Sequence, residues 1–320
     1  MSVWPVESVG KRVRVIIDND FSGDPDGLVQ LAHHLLSPTV DVRAVIGTHL
    51  RPGDTWNGPD DVGDAVRIAK EIIEMVGQTG QYPVLAGARG YLSDQTTVVE
   101  SEGIDFIIKE AMRDDTDMPL YMVCGASLTE IAAAWKKEPR IGERLTLVWI
   151  GGHEHDGLAE VAPGAPDLEY NLHQDVAAGQ VIFNESNIRL WQVPRDSYRS
   201  CLYSRAELLT ELLDAGPLGQ YLAEALGKVA NMLQSFGMSA GEAYALGDSP
   251  LVLLTALQSA FEPDTASSSW TNVPCPTLLP NGLYQANPAG RQIRVYGLLD
   301  NRLMFGDMIA KFKLHARQQA

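Results

Sequence analysis

Two hydrophobic periods alternate along the chain. Short β-branched runs are followed by longer segments whose apolar residues recur every three to four positions, the spacing of one helix face. The run VRVII at residues 13–17 stops abruptly at polar residues and reads as a buried parallel strand. Residues 18–27 (DNDFSGDPDG) are a loop by composition. Residues 28–36 (LVQLAHHLL) have helical spacing, with Asp24, Pro25 and Asp26 suited to a helix start. Strand, polar loop and helix form the first half of a βαβ unit.

The same alternation predicts strands at 40–47, 82–86, 120–123, 145–150 and 188–193, and helices at 62–76, 104–112, 128–136 and 176–183. Beyond Arg205 the pattern is helical at 206–215, 218–236 and 250–260. From Glu262 turn signals dominate, with a short strand at 292–296. Neither an internal repeat nor a linker is evident. The expected fold is α/β: a single domain over 1–320, with a mostly parallel central sheet flanked by helices and a helical C-terminal portion. Ligands of such sheets bind beyond the carboxyl ends of the strands, and residues 18–26 lie at one such end.

Composition narrows the function. A length of 320 residues with 45% apolar and 21% charged positions suits one large domain with a full core. The formal net charge of -16 repels phosphate backbones, so no nucleic-acid partner is expected. No segment approaches the roughly 20 apolar residues that cross a bilayer, so no membrane partner is expected, and the N-terminus lacks the apolar stretch of a secretory signal. Cys124, Cys201 and Cys275 stand far apart. They imply a reducing compartment without a disulfide framework or zinc knuckle, hence a cytoplasmic location.

The loop after the first strand carries Asp18, Asp20, Asp24 and Asp26. Carboxylates this close repel one another and stay ionised together only around a cation or several donors. Oxygen-only ligands suit calcium or magnesium rather than zinc. A solvated turn with helix-capping aspartates is the simpler alternative. A second acidic turn, Gly247-Asp248-Ser249-Pro250, opens a later helix and offers a carboxylate from a distant strand end.

Taken in order, these segments resemble the nucleoside hydrolase family of inosine-uridine type. The family's opening strand and Asp-x-Asp-x-x-x-Asp-Asp look like Ile16 to Asp26 here, with Pro25 inserted before the last aspartate. Pro83 to Gly87 resembles its Pro-Val-x-x-Gly, and Cys124 to Glu130 its turn that gives a backbone carbonyl to calcium. Val148 to Gly152 resembles its strand ending in Gly-Gly. Glu169-Tyr170-Asn171, with Asp175 four residues on, resembles its Glu-Phe-Asn segment, and Gly247-Asp248 its late His-Asp pair. The likeness covers roughly residues 13 to 260, and the last sixty match poorly.

The resemblance implies cleavage of the N-glycosidic bond of a ribonucleoside or related riboside, giving free base and ribose. It implies Asp20, Asp248, the Gly125 carbonyl and one of Asp24 and Asp26 as ligands of calcium, or magnesium; with Pro25 inserted either aspartate fits, and Asp26 is favoured as the ligand with Asp24 as the catalytic base. Glu169 and Asn171, with Asp18 and His49, are the implied substrate-binding residues. A small-molecule nucleoside partner and a homo-oligomer are implied too. Gly247 stands where the family has a histidine that assists the leaving base. Another proton donor is therefore needed, and His153, leaving a strand end beside Gly152, is the first candidate, followed by His155. Tyr170, Trp56 and Trp270 are candidates to stack on a base. Two other classes stay open: a haloacid-dehalogenase-like phosphohydrolase, which also starts with a strand and Asp-x-Asp, and a non-catalytic nucleoside- or ribose-binding protein.

Overall fold

In a computed structural model describing residues 9–259, 261 and 267–319, the first apolar run forms strand β1 (Val13–Asn19), buried along its whole length. It continues two residues past the β-branched run, so Asp18 and Asn19 lie on the strand rather than in the loop. Next come α1 (Asp26–Leu35), β2 (Val40–Gly47), α2 (Asp61–Met75), β3 (Val84–Ala86) and α3 (Glu102–Ala111). They are followed by β4 (Leu120–Cys124), α4 (Thr129–Lys137) and β5 (Thr146–Ile150). After a long loop the chain forms α5 (Tyr170–Gln174), α6 (Val176–Gln180), β6 (Arg189–Val193), α7 (Arg195–Tyr198) and β7 (Leu202–Ser204). The helical portion is α8 (Arg205–Leu213) and α9 (Gly216–Ser235), then β8 (Ala243–Ala245) and α10 (Pro250–Ala256). The tail supplies β9 (Ser269–Pro274), β10 (Thr277–Leu278), β11 (Tyr284–Gln285), β12 (Gln292–Leu298) and α11 (Asn301–Gln319).

Eight strands form the central sheet in the order β3-β2-β1-β4-β5-β6-β12-β9. Within this sheet every described pairing is parallel except β12 with β9, which is antiparallel at the edge. The fold is thus α/β, with a mostly parallel sheet flanked by helices. Alternation along β1 serves two cores: Val13, Val15 and Ile17 pack with α1, α2 and α8 to α11, whereas Ile16 packs with α3, α4 and α6. The strand order reverses direction between β1 and β4, which pair side by side. That switch point is where a parallel sheet opens a crevice at its carboxyl end.

Three expectations change. The helix expected at 250–260 stops at Ala256, and residue 260 lies outside the described residues. The helix at 176–183 is α6, continued by a π-helical turn at Val181–Glu185. The turn-rich tail is more ordered than its composition suggests: β12 and β9 extend the main sheet, and α11 packs across α1 and α9. His33 and His34, both inside α1, fasten this arrangement. His33 Nε2 is 2.7 Å from Asp307 of α11, and His34 Nε2 is 2.9 Å from the Thr255 hydroxyl of α10.

Candidate active site

The carboxyl ends of β1, β4 and β5 meet the turn before α10, and the polar side chains converge there. β1 presents Asp18 and Asn19 on opposite faces of the sheet. Asn19 points toward α1 and α10: its Nδ2 donates to Asp248 Oδ2 at 2.8 Å and to Gln30 Oε1 at 3.3 Å. Its Oδ1 accepts the Asp20 N–H at 2.9 Å. The chain then turns sharply, with the Gly23 N–H on the Asp20 carbonyl at 2.7 Å. This turn brings Asp24 and Asp26 back beside Asp20. Asp26 opens α1, where the helix dipole favours a negative charge. Its Oδ2 accepts the Asp248 N–H at 3.1 Å, joining two segments far apart in sequence. Asp24 Oδ1 accepts the Tyr244 hydroxyl at 2.7 Å and the Asp26 N–H at 3.2 Å.

Packing at this corner leaves no room for side chains on the glycines. A Cβ on Gly125, just beyond β4, would come within 2.5 Å of Asn19 Nδ2 and 2.6 Å of Asp248 Oδ2. One on Gly27 would meet Asn19 Nδ2 at 2.8 Å. The glycines therefore let backbone and carboxylates approach closely.

Electrostatics mark the cluster as short of positive charge. Burial first, then the charges of Asp248 and Asp24, hold the Asp20 carboxyl well above the usual carboxylate range. Burial and the charges of Asp248, Asp24 and Asp20 do the same to Asp26. Burial pushes Asp248 up to about 7 despite its hydrogen bond from Asn19. Asp24 is raised by burial too, with the Tyr244 hydroxyl opposing.

Asp18 faces the other way, toward α4. Both its oxygens are buried without a hydrogen-bond partner, and burial followed by the Glu130 charge raises its pKa strongly. His49 is buried at the end of β2 beside Asp61 and the Ala88 backbone, and burial lowers its pKa. Asp18 thus lies on the α4 side of β1, away from the Asn19–Asp248 contact.

On the β5 side, Glu169 caps α5. Its Oε2 accepts the N–H groups of Gly152 at 2.7 Å and Leu172 at 2.9 Å, and its Oε1 accepts the Asn171 N–H at 3.1 Å and the Tyr198 hydroxyl at 2.9 Å. Gly152 can turn toward it because its φ is 84°, a left-handed conformation that favours glycine. Burial raises the Glu169 pKa and these donors lower it. Asn171 Nδ2 donates to the Gly125 carbonyl at 3.0 Å and the Ile150 carbonyl at 2.8 Å, tying the ends of β4 and β5. A carbonyl has two lone pairs, so the Gly125 oxygen keeps one for another partner.

His153 Nε2 lies 2.9 Å from the Gly282 carbonyl, and its ring meets Tyr284 edge-on. His155 Nε2 lies 2.9 Å from Gln192 Oε1, beside the same tyrosine. Tyr170, at the start of α5, keeps an exposed side chain, and burial of its hydroxyl, then the charges of Asp20 and Asp54, raise its pKa. Trp270 instead lies over the Arg294 guanidinium at the sheet edge, at 4.0 Å. Three residues of the site carried no sequence signal: Asp54, Tyr198 and Tyr244. Asn19 stood within the aspartate segment without a role, although strand alternation sends it to the face opposite Asp18.

The donor chemistry fits a hard cation: oxygen atoms only, several of them buried carboxylates raised by burial and mutual repulsion. Among the described residues, no three Asp, Glu, His or Cys side chains stand near enough to enclose an ion together. Binding one would require the Asp20, Asp26 and Asp248 carboxylates to turn inward.

An α/β sheet with carboxylates gathered at its switch point defines a place for a ligand, and comparison with known proteins supplies the class of protein. A family model for inosine-uridine preferring nucleoside hydrolases matches residues 15–277. The chain belongs to this family and is a hydrolase acting on N-glycosyl compounds. Among solved structures, a purine-preferring ribonucleoside hydrolase from Gardnerella vaginalis matches with a TM-score of 0.69 at 18% identity, over 95% of this chain and 99% of that one. An inosine-uridine preferring nucleoside hydrolase from Bacillus anthracis matches with a TM-score of 0.66 at 16% identity, over 94% and 99%. No curated protein sequence matches the chain. The family match favours N-glycoside hydrolysis over the phosphohydrolase and the non-catalytic binder.

Proposed function

We propose that the protein hydrolyses the N-glycosidic bond of a ribonucleoside or related riboside, in a calcium- or magnesium-dependent reaction giving free base and ribose. The observation that carries this reading is the meeting of Asp248 with Asn19 and Asp26 at the end of β1, which gathers carboxylates from two distant segments at the sheet's switch point. Asp20, Asp26, Asp248 and the Gly125 carbonyl would hold the cation. When bound, it supplies Lewis acidity and offsets the repulsion among the carboxylates.

The remaining roles fall to side chains. Asp24, half-buried and held by Tyr244, takes the proton of the attacking water. Glu169 and Asn171 receive the sugar hydroxyls, while Asp18 and His49, both buried, support the strand ends from behind rather than by touching the sugar. The acidic cluster favours the positive charge that develops on the sugar ring as the base departs. Tyr170, with its exposed ring, covers the base. His153 supplies the leaving-group proton. The substrate partner is a small nucleoside, and the protein assembles as a homo-oligomer in the cytoplasm.

The test is release of reducing sugar from a panel of ribosides, with aryl phosphates alongside. Free ribose from at least one riboside, without phosphate release, is the expected result. Phosphate release without sugar would reject the reading.

A further inference from the structure

A carboxylate offers about four lone-pair positions on its two oxygens. Glu169 has four donors on it: the Gly152 and Leu172 N–H groups on Oε2, and the Asn171 N–H and the Tyr198 hydroxyl on Oε1. It is 1% exposed. A sugar hydroxyl therefore reaches this carboxylate only if one donor leaves.

Three of the four are fixed. Asn171 and Leu172 open α5, which Glu169 caps. Gly152 is held in its left-handed turn, and its carbonyl accepts the Arg195 N–H at 3.1 Å. The fourth donor is a side chain. Tyr198 ends the short helix α7 and is only partly buried. Its ring lies against the bare Cα of Gly247: a Cβ there would stand 3.2 Å from Tyr198 Cδ2 and 3.3 Å from Asp26 Oδ2. The ring thus fills the space between Glu169 and the turn that carries Asp248.

We propose that Tyr198 is a displaceable stand-in for a substrate hydroxyl, its phenol holding in the free protein the position on Glu169 Oε1 that a sugar hydroxyl takes over on binding. This rests on Glu169 being a sugar-binding residue, as in the proposed function. It makes Tyr198 a specificity-determining residue. Only a ligand with a hydroxyl at that point repays the lost phenol contact, because a buried carboxylate that gives up one of its four donors loses a charge-assisted hydrogen bond.

Calorimetric titration with D-ribose in calcium-containing buffer tests the proposal on the wild type and on Tyr198→Phe, which keeps the ring against Gly247. The variant no longer has to surrender a hydrogen bond, so it binds D-ribose about two- to tenfold more tightly. The KM for inosine falls in the same proportion, without a matching rise in kcat. Tyr198→Leu serves in its place if the phenylalanine variant does not fold, with the same expectation. Equal or weaker ribose binding by the variant overturns the proposal, as does the absence of ribose binding in both forms. Failure of either protein to cleave any riboside counts instead against the N-ribohydrolase reading, and the ribose titration still decides the role of Tyr198.

Discussion

The backbone N–H of Asp248 donates to Asp26 Oδ2 at 3.1 Å, so the start of α1 and the turn before α10 are joined by the acidic residues themselves. Two carboxylates brought this close in a buried corner are stable in the absence of a cation only at a cost. That cost has the form of a pH dependence.

Asp20 and Asp26 are raised well above their ordinary value of 3.8, and Asp248 from 3.8 to about 7, each chiefly by burial. The folded protein therefore keeps protons that the unfolded chain releases. Their contribution to stability is fully present below about pH 4 and is lost as pH rises through the folded values, near 7 for Asp248. The cation-free protein should lose several degrees of melting temperature between pH 5 and 8 through this cluster, against a background from other groups. Calcium should restore much of the loss at pH 8 and little at pH 5. Thermal unfolding with chelator and with calcium checks this; equal calcium stabilisation at both pH values would contradict it.

Asp24 is bound by the Tyr244 hydroxyl and the Asp26 N–H rather than by the Asp248 turn. Asp24→Asn should keep most of the cation affinity and reduce kcat by about 10² to 10⁴-fold, the range of a lost general base. A variant with the wild-type rate would remove Asp24 from the mechanism.

His153 has one ring nitrogen on the Gly282 carbonyl. If its other nitrogen serves the leaving base, His153→Gln should slow inosine far more than a riboside whose leaving group departs as a stable anion, such as 4-nitrophenyl riboside. Equal slowing of both substrates would assign His153 to holding the Gly282 loop against Tyr284.

Glu169→Gln removes a helix cap as well as a proposed sugar contact. The cap alone is worth about 0.5–2 kcal/mol. Stability should fall by at least that much, since the amide also turns its NH2 against buried donors, while the KM for ribosides rises at least tenfold. A stability loss with unchanged KM would confine Glu169 to capping α5.

Much of this was legible in the sequence. The β-branched runs and helical spacing of the first two hundred residues give the parallel sheet, because strands buried on both faces need continuous apolar runs. The aspartate loop and Asp248 were visible as acidic turns next to predicted elements, whereas Gly125, Glu169 and Asn171 came only from the resemblance to the nucleoside hydrolase family. The tail was less so. Met304, Phe305, Met308, Ile309 and Phe312 of α11 do keep helical spacing, but the charged residues between them dilute the signal. The short strands β7 and β8 pair only with each other, so their formation depends on tertiary context. Tyr198 and Tyr244 act through rings and hydroxyls that reach the site from the flanking segments, which no local pattern encodes. The opposite orientations of Asp18 and Asn19 follow from alternation once β1 is known to reach Asn19, two residues beyond its apolar run.

The central claim is that one hard cation is shared by the β1 loop and the Asp248 turn. Calorimetric titration of chelator-treated protein with calcium measures it directly, on the wild type and on Asp20→Ala and Asp248→Asn. The account predicts one site per chain in the wild type, with affinity lowered at least tenfold by either substitution. Absence of a calcium site in the wild type, or a site that neither substitution weakens, would contradict it.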